Sequence, residues 1–158
     1  METEKALEDR VVERLKRNHW KITTAESCSG GLLAGTLVNV PGVSDAFEEG
    51  YITYSNEAKH RLLGVDTQVL HTYGAVSTQV AAQMAEGACR AALAEVSIAV
   101  TGIAGPDGGT EEKPVGLVYI GCHVPGKTMV SECRFSGSRR EIREQTVKTA
   151  LTRLLELL

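Results

Sequence analysis

The sequence predicts a three-layer α/β/α sandwich around a mixed β-sheet, in a single domain over residues 1–158. Three observations carry this expectation. Short β-branched or apolar runs alternate with segments of helical period early in the chain, the pattern of strands joined by helical crossovers. Strand-like runs end in turns rich in glycine and polar residues. Late in the chain, two strand-like runs flank Pro125-Gly126-Lys127, which predicts a hairpin and hence antiparallel pairing beside parallel strands.

The elements follow in order. Residues 3–18 space Ala6, Leu7, Val11, Val12 and Leu15 at helical intervals with charges between them, which predicts an amphipathic helix. WKITTA (20–25) alternates and is β-branched, a strand pattern. SGGLLAGTLVNV (29–40) is apolar or small nearly all round, which predicts a buried helix ended by Pro41-Gly42. FEEGYITYS (47–55) reads as a second strand, and NEAKHRLLG (56–64) as a short helix capped by Ser55 or Asn56 and stopped by Gly64. STQVAAQMAEGACRAALAE (77–95) reads as a long helix with Ser77 as N-cap and Val80, Ala81, Met84, Ala88 and Ala91 on one face. VSIAVTG (96–102) is a buried strand feeding the glycine-rich loop TGIAGPDGGTEEKPVG (101–116). LVYIGCHV (117–124) and TMVSECRFS (128–136) make the hairpin. RREIREQTVKTALTRLLELL (139–158) is a final amphipathic helix with Ile142, Val147, Ala150, Leu151, Leu154 and Leu158 inward.

Composition narrows the function classes. Aromatic residues make up only 4% of the chain and the formal net charge is −3, which argues against a base-stacking, basic nucleic-acid surface. A small anionic ligand stays open, because backbone N–H groups bind anions without net positive charge. The first ten residues show no signal-peptide pattern and the longest apolar runs are far too short to span a membrane. Cys28, Cys89, Cys122 and Cys133 form no CxxC pair, so neither a disulfide framework nor a zinc site is expected, and a reduced, cytoplasmic chain is. Oligomeric state is not legible, although the Ala- and Gly-rich helix at 77–95 could pack across a dimer as well as within the fold.

In an open α/β sheet, ligands sit where strands end and loops lead into helices. Three segments answer to that description: Glu26–Gly31, Tyr54–Lys59 and Thr101–Gly109. The first holds Ser27, Cys28 and Ser29 in succession, then Gly30 and Gly31, at a strand-to-helix turn. A nucleophile there gains from free backbone N–H groups, and the glycines leave room for a ligand. On spacing alone a helix cap by Ser27 or Ser29, worth ~1 kcal/mol, is the simpler reading. Cys28 is a rival nucleophile by position only. A serine nucleophile needs a base. His19, His60, His71 and His123 read as surface or boundary residues, and no Ser-His-Asp order is present. Lys59 sits on a segment apolar enough to desolvate an ammonium, and burial lets a neutral amine act as base. Position alone equally allows a solvated helix lysine. Tyr54, at the end of the second strand, offers a proton donor or a packed ring. TGIAGPDGG is a glycine-rich, phosphate-cradle type of loop but matches neither the P-loop nor the dinucleotide fingerprint. Asp107 there suits a ribose hydroxyl or simply a turn. Metal ligation is not expected, since carboxylates and histidines do not fall at ligand spacings.

Taken together, TTAESCSGG, GYITYSNEAKHRLLGV, YGAVS, VTGIAGPDGGTEEKPVG and RFSGSRREIREQTV resemble the CinA C-terminal domain family, in the family's order and over nearly the whole chain. The resemblance implies an amidohydrolase with a serine–lysine dyad, because stand-alone members hydrolyse nicotinamide mononucleotide to nicotinate mononucleotide and ammonia. It assigns Ser27 as nucleophile and Lys59 as base, and Tyr54 or Lys59 itself is expected to protonate the departing ammonia. The substrate, a small-molecule mononucleotide, is expected against Glu26, Cys28, Ser29, Gly30, Gly31, Thr101, Gly102, Ala104 and Gly105, the last four lying in the TGIAGP run that matches the family's. No metal and no organic cofactor are expected, nor a nucleic-acid or membrane partner, and a homo-oligomer, a dimer first, is. One departure stands out: Ser29 occupies a position that is commonly Thr in relatives, with the hydroxyl retained. Larger members carry an N-terminal domain associated with ADP-ribose pyrophosphatase activity. A chain of 158 residues has no room for it, so that activity is not expected. Two other readings stay open: a non-enzymatic nucleotide-binding module linked to competence, and a serine–lysine amidohydrolase for another amide.

Overall fold

A computed structural model describes residues 5–158. One five-stranded sheet runs through it, with strand order β2-β1-β3-β4-β5. The chain first lays down α1 (Leu7–Asn18) and β1 (Ile22–Glu26), then α2 (Leu32–Val38) and β2 (Tyr51–Ile52). Three helices follow, α3 (Asn56–Leu63), α4 (Thr67–Tyr73) and α5 (Thr78–Ala92). β3 (Val96–Gly102), the hairpin β4 (Leu117–Val124) and β5 (Lys127–Arg134), and α6 (Arg139–Leu157) complete it. β1 lies between β2 and β3 and is parallel to both, whereas β3–β4 and β4–β5 are antiparallel. The expected three-layer sandwich with a mixed sheet is therefore the observed architecture.

Each face of the sheet is buried under its own helices. On one side Ile22, Ile98, Val100 and Ile120 meet Val11, Leu15, Leu33, Leu37, Ile142, Leu151 and Leu154 from α1, α2 and α6. On the other, Ala25 and Ala99 lie under Leu63, Val65, Leu70, Val80, Met84 and Ala88 from α3 to α5. The alternation within β1 and β3 decides which side chain faces which layer. The small residues facing the second layer let α5 come close. Gly87 of α5 has room only for hydrogen, since a Cβ there would stand 1.8 Å from the Leu63 carbonyl oxygen.

Several boundaries differ from the sequence expectation. Residues 3 and 4 of the first predicted helix lie outside the described residues. The second strand shrinks to Tyr51–Ile52, with an isolated bridge from Phe47 to Ile22, because it is an edge strand with one neighbour and pairs only at its end. α2 begins at Leu32 rather than Ser29 and is not buried all round: Leu33 and Leu37 face the core, while Leu32 and Val38 are exposed. α4 was not expected. Asp66 starts it by accepting from the Gln68 and Val69 N–H groups, and it buries only Leu70, too small an apolar stripe to signal a helix. On α5 the buried face is Val80, Ala81, Met84, Ala85 and Ala88, whereas Ala91 is exposed in the last turn. Leu158 is half-buried, and Leu155 takes an inward place on α6 that the sequence did not give it. Ser55, Gly64 and Ser77 end or begin their helices as expected.

Candidate active site

Parallel strands end together, so the C-terminal ends of β2, β1 and β3 deliver their following segments to one edge of the sheet. Those segments are Thr53–Tyr54, Ser27–Gly31 and Ile103–Gly105. β1 connects through α2 to β2 on one side, and β2 then crosses back through α3–α5 to β3 on the other side of β1, a reversal that opens a crevice in sheets of this kind.

Lys59 enters this edge from α3. It is 2% exposed, one of the largest fully buried side chains, and its Nζ lies 3.2 Å from Ser27 Oγ. Nζ also donates to the Thr53 carbonyl at 2.9 Å. Both acceptors are neutral. Burial, with no carboxylate partner among the described residues, disfavours the ammonium and holds the Lys59 pKa below the ordinary lysine value. Ser27 is 7% exposed, so its hydroxyl faces a nearly dry environment. A weakly basic oxygen beside an amine poised to be neutral is the pairing that a nucleophilic serine requires.

The turn that carries Ser27 is held from both sides. Ser27 N–H donates to Val100 O and Gly30 N–H to Ser27 O, both at 3.0 Å, so neither amide is available to an oxyanion as the sequence reading supposed. The N–H groups of Cys28, Ser29 and Gly31 have no backbone acceptor among the described residues. Neither Ser27 nor Ser29 caps α2. The cap position is Gly31, at φ 101°, without a side-chain bond. Glu26 does the work instead: its two carboxylate oxygens accept from Leu33 N–H at 2.8 Å and Ala34 N–H at 3.0 Å. Leu32 N–H bonds to Ser29 O and Gly35 N–H to Gly31 O, which completes the accounting for the first turn.

Five of the residues expected to meet substrate are buried in this structure. Glu26, Ser29, Cys28, Thr101 and Ala104 are all buried, so their side chains face protein. Thr101 is still within β3 and gives its hydroxyl to Ala75 O at 2.9 Å. Ala104 belongs to the core under α6. Burial pushes the Cys28 thiol up to about 11, which keeps it protonated and weakens it as a rival nucleophile. The Ser29 hydroxyl is buried without a hydrogen-bond partner among the described residues. Gly30, Gly31 and Gly105 lie at the strand-end edge after β1 and β3, and Gly102 is the last residue of β3.

Tyr54 stands at the rim, 61% exposed, and its hydroxyl accepts from Arg139 Nη2 at 2.8 Å rather than meeting Ser27 or Lys59. The same guanidinium donates through Nη1 to Gly105 O at 2.7 Å. Arg143, one turn further along α6, donates to Cys28 O at 3.1 Å and to Ser29 O at 2.8 Å. Sequence reasoning gave these arginines no role. The available signal was SGSRREIRE itself: a capping Ser138 puts Arg139 and Arg143 four apart on one face of α6, at its first turns.

A protein-family model described as the CinA C-terminal domain matches residues 4–158. A relative in Clostridium beijerinckii, which carries the provisional name competence-damage inducible protein, is 50% identical over 96% of this chain. One of the same name in Caldicellulosiruptor saccharolyticus is 52% identical over 92%. The chain spans only 37% and 35% of those two proteins, about a third of the length of such relatives. Among solved structures, the competence/damage inducible protein CihA from Agrobacterium tumefaciens aligns with a TM-score of 0.93 at 46% identity, covering 96% of this chain and 93% of that one. A CinA superfamily protein from Escherichia coli gives 0.93 at 39% identity, covering 96% and 88%. Sequence, strand order and the segments gathered at the sheet edge thus agree, and this chain belongs to the CinA family through its C-terminal domain.

Proposed function

We propose that the chain hydrolyses a carboxamide through an acyl-enzyme on Ser27, and that its substrate is nicotinamide mononucleotide. The observation that supports this best is the buried Lys59 amine 3.2 Å from Ser27 Oγ, with no carboxylate among the described residues to keep it charged. Neutral Lys59 takes the Ser27 proton as Oγ attacks the carboxamide carbon. The oxyanion accepts from free N–H groups of the 27–31 turn, those of Cys28, Ser29 and Gly31 being the donors on hand. The C–N bond then breaks and Lys59 returns the proton to departing ammonia. Lys59 suits this step better than Tyr54, whose hydroxyl is held by Arg139 at the rim. A water, deprotonated by Lys59, attacks the acyl ester, releasing nicotinate mononucleotide and restoring Ser27. No step asks for a metal or organic cofactor.

The nucleotide part of the substrate would lie toward the rim, where Arg139 brings positive charge beside the glycine-rich loop. The choice of mononucleotide rests on the family resemblance, the dyad chemistry on the geometry. No helix among the described residues is long and apolar enough to cross a membrane, which suits our placement of the chain in the cytoplasm, where pyridine nucleotides turn over. Assay of ammonia release from nicotinamide mononucleotide, set beside free nicotinamide and unrelated amides, tests the proposal. Turnover confined to the mononucleotide supports it, turnover of another amide alone moves the substrate, and mononucleotide binding without turnover by any route favours a binding module.

A further inference from the structure

We propose that Glu26 is a positioning residue for both halves of the dyad: its carboxylate fixes the turn that carries Ser27, and its main chain fixes the acceptor that holds Lys59. The inference rests on the Ser27–Lys59 reading above.

Glu26 is fully buried beside Ser27. A carboxylate in such a place is costly unless its oxygens are fully hydrogen-bonded. Here both oxygens are used, one on Leu33 N–H and one on Ala34 N–H, seven and eight residues downstream. Helix caps are normally supplied by a short polar side chain at the cap position itself. A serine or aspartate at 31 would serve α2 as a helix, but that position is a glycine with φ 101°. Capping from Glu26 does something a local cap cannot: it ties the end of β1 to the start of α2 across the nucleophile turn.

Both ends of this tie are rigid. Glu26 is the last residue of β1, in register with Ile52 on one side and Val100 on the other. α2 is anchored in the core by Leu33 and Leu37. The turn between them includes Gly30 and Gly31, both at positive φ, a stretch with little conformational preference of its own. Its shape is therefore set from its ends. The main chain of Glu26 completes the argument. Its carbonyl accepts from Thr53 N–H at 2.8 Å, and the Thr53 carbonyl is the acceptor for Lys59 Nζ at 2.9 Å. One residue is thus the common reference for nucleophile and base, and preorganisation at the level of a fraction of an ångström is what such a pair needs.

Glu26→Gln tests this. The amide keeps the length and one acceptor, but aims an N–H₂ at one of the two α2 amides. The readouts are the rate at which a small fluorophosphonate labels Ser27, and kcat and KM for nicotinamide mononucleotide, at a temperature where circular dichroism shows the variant folded. The expected result is a loss of about tenfold or more in labelling rate and in kcat, with KM within about threefold of the native chain. Glu26→Asp, which keeps the carboxylate but falls short of α2, is expected to lose less, and it carries the same comparison if Glu26→Gln does not fold. Native labelling and kcat in a folded variant would overturn the proposal, as would a loss confined to KM, which would make Glu26 a substrate contact. If the native chain is labelled at Ser27 yet does not turn over the mononucleotide, the substrate assignment falls while the labelling ratio still decides the role of Glu26. Absence of labelling at Ser27 in the native chain overturns dyad and strut together.

Discussion

Lys59 Nζ lies 3.2 Å from Ser27 Oγ although the two residues are 32 apart in the chain and follow different strands. The neighbours of Ser27 have no such partner: Cys28 is buried as a protonated thiol, and the Ser29 hydroxyl bonds to nothing among the described residues. Ser27→Ala is therefore expected to reduce ammonia release from nicotinamide mononucleotide by about 10³-fold or more. Cys28→Ala and Ser29→Ala are expected to stay within about threefold, equivalent to less than ~1 kcal/mol in the barrier. Steady-state ammonia assays on the three variants separate the candidates, and an active Ser27→Ala would remove the nucleophile from the argument.

The amine of Lys59 must be neutral to act as base, and burial lowers its pKa. Activity should consequently rise with pH and level off below the pH at which an ordinary lysine titrates, and kcat/KM measured across an alkaline series reads this directly. The same shift has a stability consequence. With the folded pKa below the unfolded one, the unfolded chain binds more protons in the window between the two, so stability rises with pH there. Lys59→Met removes that slope. It should abolish turnover, and its gain in melting temperature over the native chain should be largest at the low end of the window and shrink as pH increases. A native profile that is flat where the variant is flat would show that Lys59 does not titrate in this way.

Arg139 joins two parts of the rim, Tyr54 through its hydroxyl and Gly105 through its carbonyl. Tyr54→Phe leaves the guanidinium with one of the two partners, and Arg139→Gln releases both. If the bridge acts as a unit in receiving substrate, each variant raises KM by about three- to tenfold with a smaller effect on kcat, and the double variant is little worse than Arg139→Gln alone. A fall in kcat for Tyr54→Phe with KM unchanged would instead return Tyr54 to the chemistry, as the family resemblance suggested.

What the sequence made legible follows the range of the interactions. Periodicity gave α1, α5, α6 and the buried β3, because a long element repeats its signal. Caps gave the bounds of α3, since Ser55 and Gly64 act on their nearest neighbours. α4 and the shortening of β2 escaped, the one for want of apolar residues and the other because an edge strand's length is decided by its partner. At the site, Ser27 and Lys59 stood out through the resemblance, and no spacing rule could have put them in contact. Glu26 was expected among the substrate-facing residues. Its true partners, the amides of Leu33 and Ala34, become visible only when the turn is folded. Arg143 reaches Cys28 from 115 residues away, a separation at which local pattern carries no information.

The position of Lys59 also depends on a helix contact remote from the chemistry. α3 ends at Leu63, four residues beyond Lys59, and its carbonyl oxygen rests against Gly87 of α5 at a distance where a Cβ would stand only 1.8 Å away. The obstructing atom is main chain, so no rotamer change can relieve it. Gly87→Ala therefore has to push α3 away from α5. Outside a packed contact this substitution in a helix gains up to ~1 kcal/mol from propensity, but overpacking of this kind costs about 1–3 kcal/mol and dominates. The expected drop in melting temperature is about 3–8 °C for a domain of this size. Displacing α3 also lengthens the Nζ–Oγ distance, so kcat should fall by about tenfold at temperatures well below the melting transition, where the variant is fully folded. Melting curves and kcat measured on one preparation check both halves, and a variant that melts early yet keeps native kcat would show that Lys59 is held by its own bonds to Ser27 and Thr53 rather than by the seating of its helix.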